Sequence, residues 1–78
     1  MQIEWSEWAD ESAGAKYRRG EAGEVKVRQT CYDRHDVETR ARLGVRWVWI
    51  EGSTPDEADS AAVEAVALVL RLVLQGGG

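Results

Sequence analysis

Thr54-Pro55-Asp56-Glu57, followed by Ala58-Asp59-Ser60-Ala61-Ala62-Val63-Glu64-Ala65-Val66 and running on to Gln75, decides the fold. Thr54 is a helix cap, Pro55 suits the first helical position, and Glu57 can close a capping box on the Thr54 amide. Loss of the Thr54 oxygen is expected to cost about 1 kcal/mol. From there Glu57, Ser60, Glu64, Arg71 and Gln75 recur with the helical period on one narrow polar stripe, and Ala58, Ala62, Val66, Val69 and Val73 fall opposite. The pattern predicts one long helix from Pro55 to Gln75, stopped by Gly76, with residues 75–78 as a disordered tail. Its alanine-rich start allows close approach to a sheet. Its leucine-rich end is apolar over about two thirds of the circumference, so a second surface is expected to cover it: the Trp5 and Trp8 segment or a partner.

Upstream the period changes to two. Val25, Val27, Gln29 and Cys31 share one face of a predicted strand, with Lys26, Arg28, Thr30 and Tyr32 on the other. Val37, Thr39, Ala41 and Leu43 alternate in the same way with Glu38, Arg40 and Arg42. With Asp33-Arg34-His35 as the loop of a hairpin, Val27 faces Ala41 and Cys31 faces Val37. Gly44 is read as a bulge or bend beyond which Val45, Trp47 and Trp49 continue the buried face to Ile50. A short helix over Asp36–Leu43 is the competing reading. An earlier strand over Ala15–Arg19 is joined through a turn at Gly20–Gly23, and the Trp5–Trp8 segment forms a short helix or edge strand. The expected fold is α+β: an antiparallel sheet of three to four strands packed against one C-terminal helix, in a single domain.

At 78 residues such a domain buries only about 60 to 65 per cent of its unfolded surface, so the core must be compact. A content of 44% apolar residues with four tryptophans suffices. One cysteine, Cys31, can form no internal disulfide and falls short of a metal site, which points to a reducing, cytoplasmic setting and to Cys31 packing in the core. The N-terminus has no signal-peptide pattern, and no apolar run is long enough to span a bilayer.

The net charge of -4 is unevenly placed: residues 1–14 carry four acids and no base, residues 15–50 nine bases and five acids, and residues 51–78 five acids and one base. His35 beside Asp33 and Asp36 has no accompanying nucleophile, no serine sits in a nucleophile elbow, and no glycine-rich loop has phosphate-binding spacing. No catalytic residue, metal site or cofactor is assigned, and an enzyme is not expected. In the hairpin register Lys26 opposes Arg42 and Arg28 opposes Arg40 on the outer face, with Arg46, Lys16 and Arg18 extending the row. Opposed like charges are destabilising, so Glu24, Glu38, the acidic N-terminal segment or an external anion must compensate. Lys26, Arg28, Arg40, Arg42 and Arg46 are thus candidate anion-binding residues for a nucleic-acid backbone. Asp33, Asp36, Glu51, Asp56, Glu57, Asp59 and Glu64 are candidates for contacting a basic protein surface.

Three resemblances bear on this division of charge. Met1-Gln2-Ile3, Leu68–Leu72 and the closing glycines are similar to the two ends of ubiquitin, but here the second segment continues a capped helix. Strands followed by Gly52-Ser53 and an alanine-paired helix resemble the C-terminal half of double-stranded-RNA-binding domains, yet Asp56, Glu57 and Asp59 stand where that family grips phosphate with lysines. In size, acidity and architecture the chain resembles the small phage-encoded anti-CRISPR proteins. That resemblance implies a protein-binding inhibitor whose acids occupy a basic, nucleic-acid-binding surface of a host complex such as a CRISPR surveillance complex. The alternatives are a nucleic-acid-binding module using the basic sheet face, and a homodimer held by the helix.

Overall fold

The computed structural model describes residues 1–32 and 36–76. It is an α+β fold, with strands β1 (Glu4–Trp5), β2 (Ala9–Asp10), β3 (Lys16–Ala22), β4 (Val25–Tyr32), β5 (Asp36–Leu43) and β6 (Arg46–Ser53) followed by helix α1 (Ala58–Gly76). All pairings are antiparallel in the order β1-β3-β4-β5-β6, and β2 adds to the free part of β3. Four long strands therefore form the body of the sheet, and the N-terminal segment contributes two more of two residues each. No helix among the described residues is long and apolar enough to cross a membrane.

The β4–β5 register is the one the alternation predicts: Lys26 opposite Arg42, Val27 opposite Ala41, Arg28 opposite Arg40 and Cys31 opposite Val37. Asp36–Leu43 is a strand, not a helix. The loop residues Asp33, Arg34 and His35 lie outside the described residues, as do Gly77 and Gly78. Gln75 lies in α1 as the helix expectation has it, and Gly76, expected to stop the helix, is its last residue.

Three expectations need correction. The turn after β3 is confined to Gly23-Glu24, and Gly20 lies inside the strand opposite Val27. A Cβ on Gly20 would sit 2.7 Å from both Ile3 Cγ2 and Trp5 Cε3, so only glycine lets β1 lay its apolar side chains over the strand. Gly44 is not a bulge. Leu43 pairs with Arg46, so Gly44 and Val45 form a two-residue hairpin turn with positive φ at the glycine, the pattern of a type II′ turn. That turn length puts Val48 and Ile50 on the core side and sends Trp47 and Trp49 to the outer face, where they are 55% and 47% exposed. The bulge lies further on, where Glu51 and Gly52 together oppose Glu38, and Gly52 takes φ 79°. The same pairing logic removes Lys16, Arg18 and Arg46 from the outer row: they oppose Cys31, Gln29 and Leu43, and so lie on the helix side.

The core is the layer between that side of the sheet and α1. Val25, Val27 and Ala41 meet Ala62, Ala65, Val66 and Val69, with Ile3, Trp5, Ala22, Leu43, Val48 and Ile50 at its margin. Small residues on the buried stripe of α1 bring the helix close to the sheet, as their spacing predicts. Ile3 and Trp5 supply part of the second cover, yet Val63, Leu70, Leu72 and Leu74 remain exposed.

Gln29 sits in the middle of this layer at 0% exposure. Its amide nitrogen donates to Thr39 Oγ1 at 3.0 Å and to the Ala58 carbonyl at 2.6 Å, and its oxygen accepts from Arg18 Nε at 2.8 Å. Arg18, only 13% exposed, also donates to Asp59 Oδ1 at 2.8 Å and lies 3.7 Å from the Trp5 ring centroid and 4.9 Å from that of Trp8. The carboxylate of Asp59 is 87% exposed, so its ion pair adds little energy of its own. What it does is satisfy a guanidinium that the fold has largely removed from water. Among the described residues no buried side-chain nitrogen or oxygen lacks a partner.

At the helix start the expected capping box forms, with the Glu57 carboxylate accepting from the Thr54 amide at 3.1 Å and from the Thr54 hydroxyl at 2.9 Å. Pro55–Glu57 forms one 3-10 turn before α1 begins. The two hydrogen bonds from Thr54, backbone first and then hydroxyl, hold the Glu57 carboxyl below its ordinary range.

Three stability tests follow from these contacts. Gly20→Ala is expected to cost about 1–3 kcal/mol in urea unfolding, with a shift in tryptophan emission as Trp5 is displaced. Gln29→Leu, which keeps the volume but orphans Arg18 Nε and the Ala58 carbonyl contact, is expected to cost about 1–3 kcal/mol. Because the carboxyl of Glu57 is lowered in the folded state, its contribution is present above the unfolded carboxylate range and disappears as pH falls through its folded value. The stability gap between the wild-type protein and Glu57→Gln should therefore close below pH 4.5 and stay constant above it, as read by thermal unfolding across pH.

Candidate functional site

The face of the sheet turned away from α1 carries side chains in transverse rows, because antiparallel partners point the same way. One row reads Glu4, Glu21, Lys26, Arg42 and Trp47 from β1 to β6, and the next reads Arg19, Arg28, Arg40 and Trp49. Both rows run from an acidic or polar edge through cations on β4 and β5 to a tryptophan on β6. Ser6 closes the second row, its amide donating to the Arg19 carbonyl at 2.8 Å and its hydroxyl accepting from the Arg19 amide at 3.0 Å.

Between the rows lies an open groove of about 880 Å³. Of its charged lining residues five are basic (Arg19, Lys26, Arg28, Arg40, Arg42) and two acidic (Glu4, Glu21), which gives it a positive potential in a protein of net charge -4. Trp47 lines the same groove.

The like charges predicted to oppose each other do so, and they are only partly compensated. Lys26 donates to Glu21 at 2.7 Å, Arg28 to Glu11 at 2.6 Å and Arg40 to Glu38 at 3.0 Å. Glu11 belongs to the acidic N-terminal segment expected to take part, and Glu21 stands where Glu24 was expected. Arg19 and Arg42 have no ion pair among the described residues. Aromatic rings take some of the remaining charge: Arg28 lies 4.5 Å and Arg19 5.6 Å from the Tyr17 centroid, and Arg40 lies 5.5 Å from that of Trp49. No cation lies over Trp47 among the described residues.

The other candidates scatter. Arg46 leaves the row for the helix side, where its guanidinium approaches Gly76 at the C-terminus of α1, a favourable place for a cation. Of the seven acids, Asp33 lies outside the described residues and Asp36 stands on the outer face opposite Tyr32. Glu51 sits in the β6 bulge, Glu57 in the capping box, and Asp59 against Arg18. Asp56, in the 3-10 turn that precedes α1, and Glu64, on the N-terminal half of α1, are exposed. These acids do not converge on one surface. Cys31 is free and half-buried opposite Lys16.

Two outer-face residues escape a period-two reading anchored on Gly44: Trp47, which lines the groove, and Trp49, whose directions depend on whether that glycine opens a bulge or a two-residue turn. Arg19 escapes because its strand was ended at the neighbouring Gly20. The signal for the two tryptophans lies in the spacing of Leu43 and Arg46, four residues that close a hairpin. Comparison of the chain with protein-family models, with curated proteins and with solved structures returned no match.

Proposed function

We propose that the protein is a non-enzymatic nucleic-acid-binding module that holds its ligand on the outer face of the sheet. The observation that carries this reading is the direct cross-strand opposition of Lys26 to Arg42 and of Arg28 to Arg40 inside a groove that reaches the exposed Trp47, with Trp49 exposed next along β6. Opposed like charges cost stability. The core lies on the other face, so folding has no use for them there. A polyanion laid along β4 and β5 turns that cost into affinity, and the neighbouring rings accept bases or sugars. Binding of this kind is strongly salt-dependent, because each neutralised phosphate releases condensed counterions.

A gel shift with labelled DNA and RNA at two salt concentrations tests it. With three to five phosphates neutralised, log affinity is expected to fall with log salt at a slope of about -2 to -4. The double substitution Arg28→Glu with Arg40→Glu should abolish the shift while the far-ultraviolet circular dichroism stays that of the folded protein. Absence of any shift at low salt defeats the proposal.

The second reading, an anti-CRISPR-like inhibitor whose acids occupy a basic protein surface, is favoured by the exposure of Asp56 and Glu64 and of the Asp59 carboxylate on the helix. Glu57 and Asp59 are already engaged within the fold, which leaves fewer acids for a partner than the sequence offers. If Asp56→Lys with Glu64→Lys removes activity in a host-complex inhibition assay and the arginine reversals do not, this second reading replaces the first.

A further inference from the structure

Resting on the nucleic-acid reading just proposed, we infer that the ligand of the groove is a single strand, its bases unstacked onto Trp47 and Trp49, and that duplexes are excluded. Five neighbouring strands at about 4.8 Å spacing make a face about 19 Å across. The major groove of B-form DNA is about 12 Å wide and admits a helix or a two-stranded ribbon. The sheet face is therefore too broad to enter it.

The spacing along β6 gives the second argument. Trp47 and Trp49 are two residues apart on one strand, about 6.8 Å. Successive bases in a stacked strand are about 3.4 Å apart. A strand that places one base on each ring must open to twice the stacking distance, which a single strand does readily and a paired one only by breaking its stack.

Charge then sets the direction in which the strand lies. The row Lys26, Arg42, Trp47 and the row Arg28, Arg40, Trp49 repeat the same order at the same 6.8 Å step: cations on β4 and β5, ring on β6. Phosphates follow the cations along β4 and β5, with bases turned toward the β6 edge. The far side of the groove carries Glu4 and Glu21 in the first row, which repel phosphate there, and Arg19 in the second, which extends the cations of that row onto β3. Each row thus serves one nucleotide. Recognition through ring faces and backbone charge is independent of base sequence.

The test is fluorescence anisotropy on the full chain with a short oligothymidylate, an oligouridylate of the same length and a fully paired hairpin duplex as probes. The single strands are expected to bind at least about tenfold more tightly than the duplex. Trp47→Ala and Trp49→Ala should each weaken single-strand binding by about 5- to 150-fold, the worth of one stacked base, and Trp47→Phe should restore most of it. Arg42→Gln should lower the salt slope by about 0.7. Equal binding of DNA and RNA strands supports recognition by rings and phosphates, and a preference of more than about tenfold for RNA overturns it in favour of contacts to the 2′-hydroxyl. If the duplex binds as tightly as the strands and the tryptophan variants are silent, the single-strand inference is wrong while the nucleic-acid reading stands. If no probe binds at low salt, both fall together.

Discussion

The fold depends on one buried amide. Gln29 lies at the centre of the sheet, and its three hydrogen bonds reach β3 through Arg18, β5 through Thr39 and the first residue of the helix through Ala58. Arg18 extends the connection to Asp59 on the helix and to the N-terminal segment through the faces of Trp5 and Trp8. The valine and alanine contacts beneath α1 supply most of the stabilisation, but they are non-directional and would tolerate a helix slid or rotated along the sheet. A fully buried amide tolerates no such freedom, since each displaced partner leaves a polar group unsatisfied in a medium of low dielectric. Gln29 therefore fixes where the helix starts over the sheet, and the close-packed alanines follow.

With the helix held on one side, the two faces of the sheet have separate duties. The inner face is apolar at its centre except for the satisfied Gln29 and Thr39, and it also carries Lys16, Arg18 and Arg46. The outer face is free of core requirements and carries opposed cations, half-compensated by Glu11, Glu21 and Glu38. Exposed tryptophans at the open β6 edge complete a surface that folding alone does not explain. The arrangement separates the proposed binding surface from the core: substitutions among the outer arginines leave the core untouched, and substitutions at Gln29 or Gly20 act on the fold without changing the groove's charge.

Much of this was legible in the residues. The capping box and the helix stripe are local chemistry within a few positions, and the β4–β5 register follows from two alternating runs joined by a short loop. Opposition of Lys26 to Arg42 and of Arg28 to Arg40, the heart of the candidate site, came with that register. What was misread hung on parity. A glycine at position 44 is compatible with a bulge or with a two-residue turn, and the difference of one residue exchanges the two faces of everything after it. Trp47, Trp49 and Arg46 all changed sides for that reason. Gly20 looked like punctuation because its use is long-range: the strand passes beneath Trp5 and Ile3, and no local pattern records that approach. Strands β1 and β2, of two residues each, are too short to show a period.

Properties that depend on neighbours within one turn or along one strand, namely the capped helix, its buried stripe, the hairpin register and the acid-base-acid layout, could be assigned from residue order, because period and spacing carry them. The side of the sheet on which each aromatic and each arginine lies required the closed structure. Arg18 looked like one more outer cation until its pairing with Gln29 placed it under the helix, and the tryptophans looked like core until a two-residue turn sent them to solvent. Facing is a sum over every preceding turn and bulge, so a single undecided residue propagates to the end of the sheet, whereas helix and strand identity are settled locally and do not accumulate error.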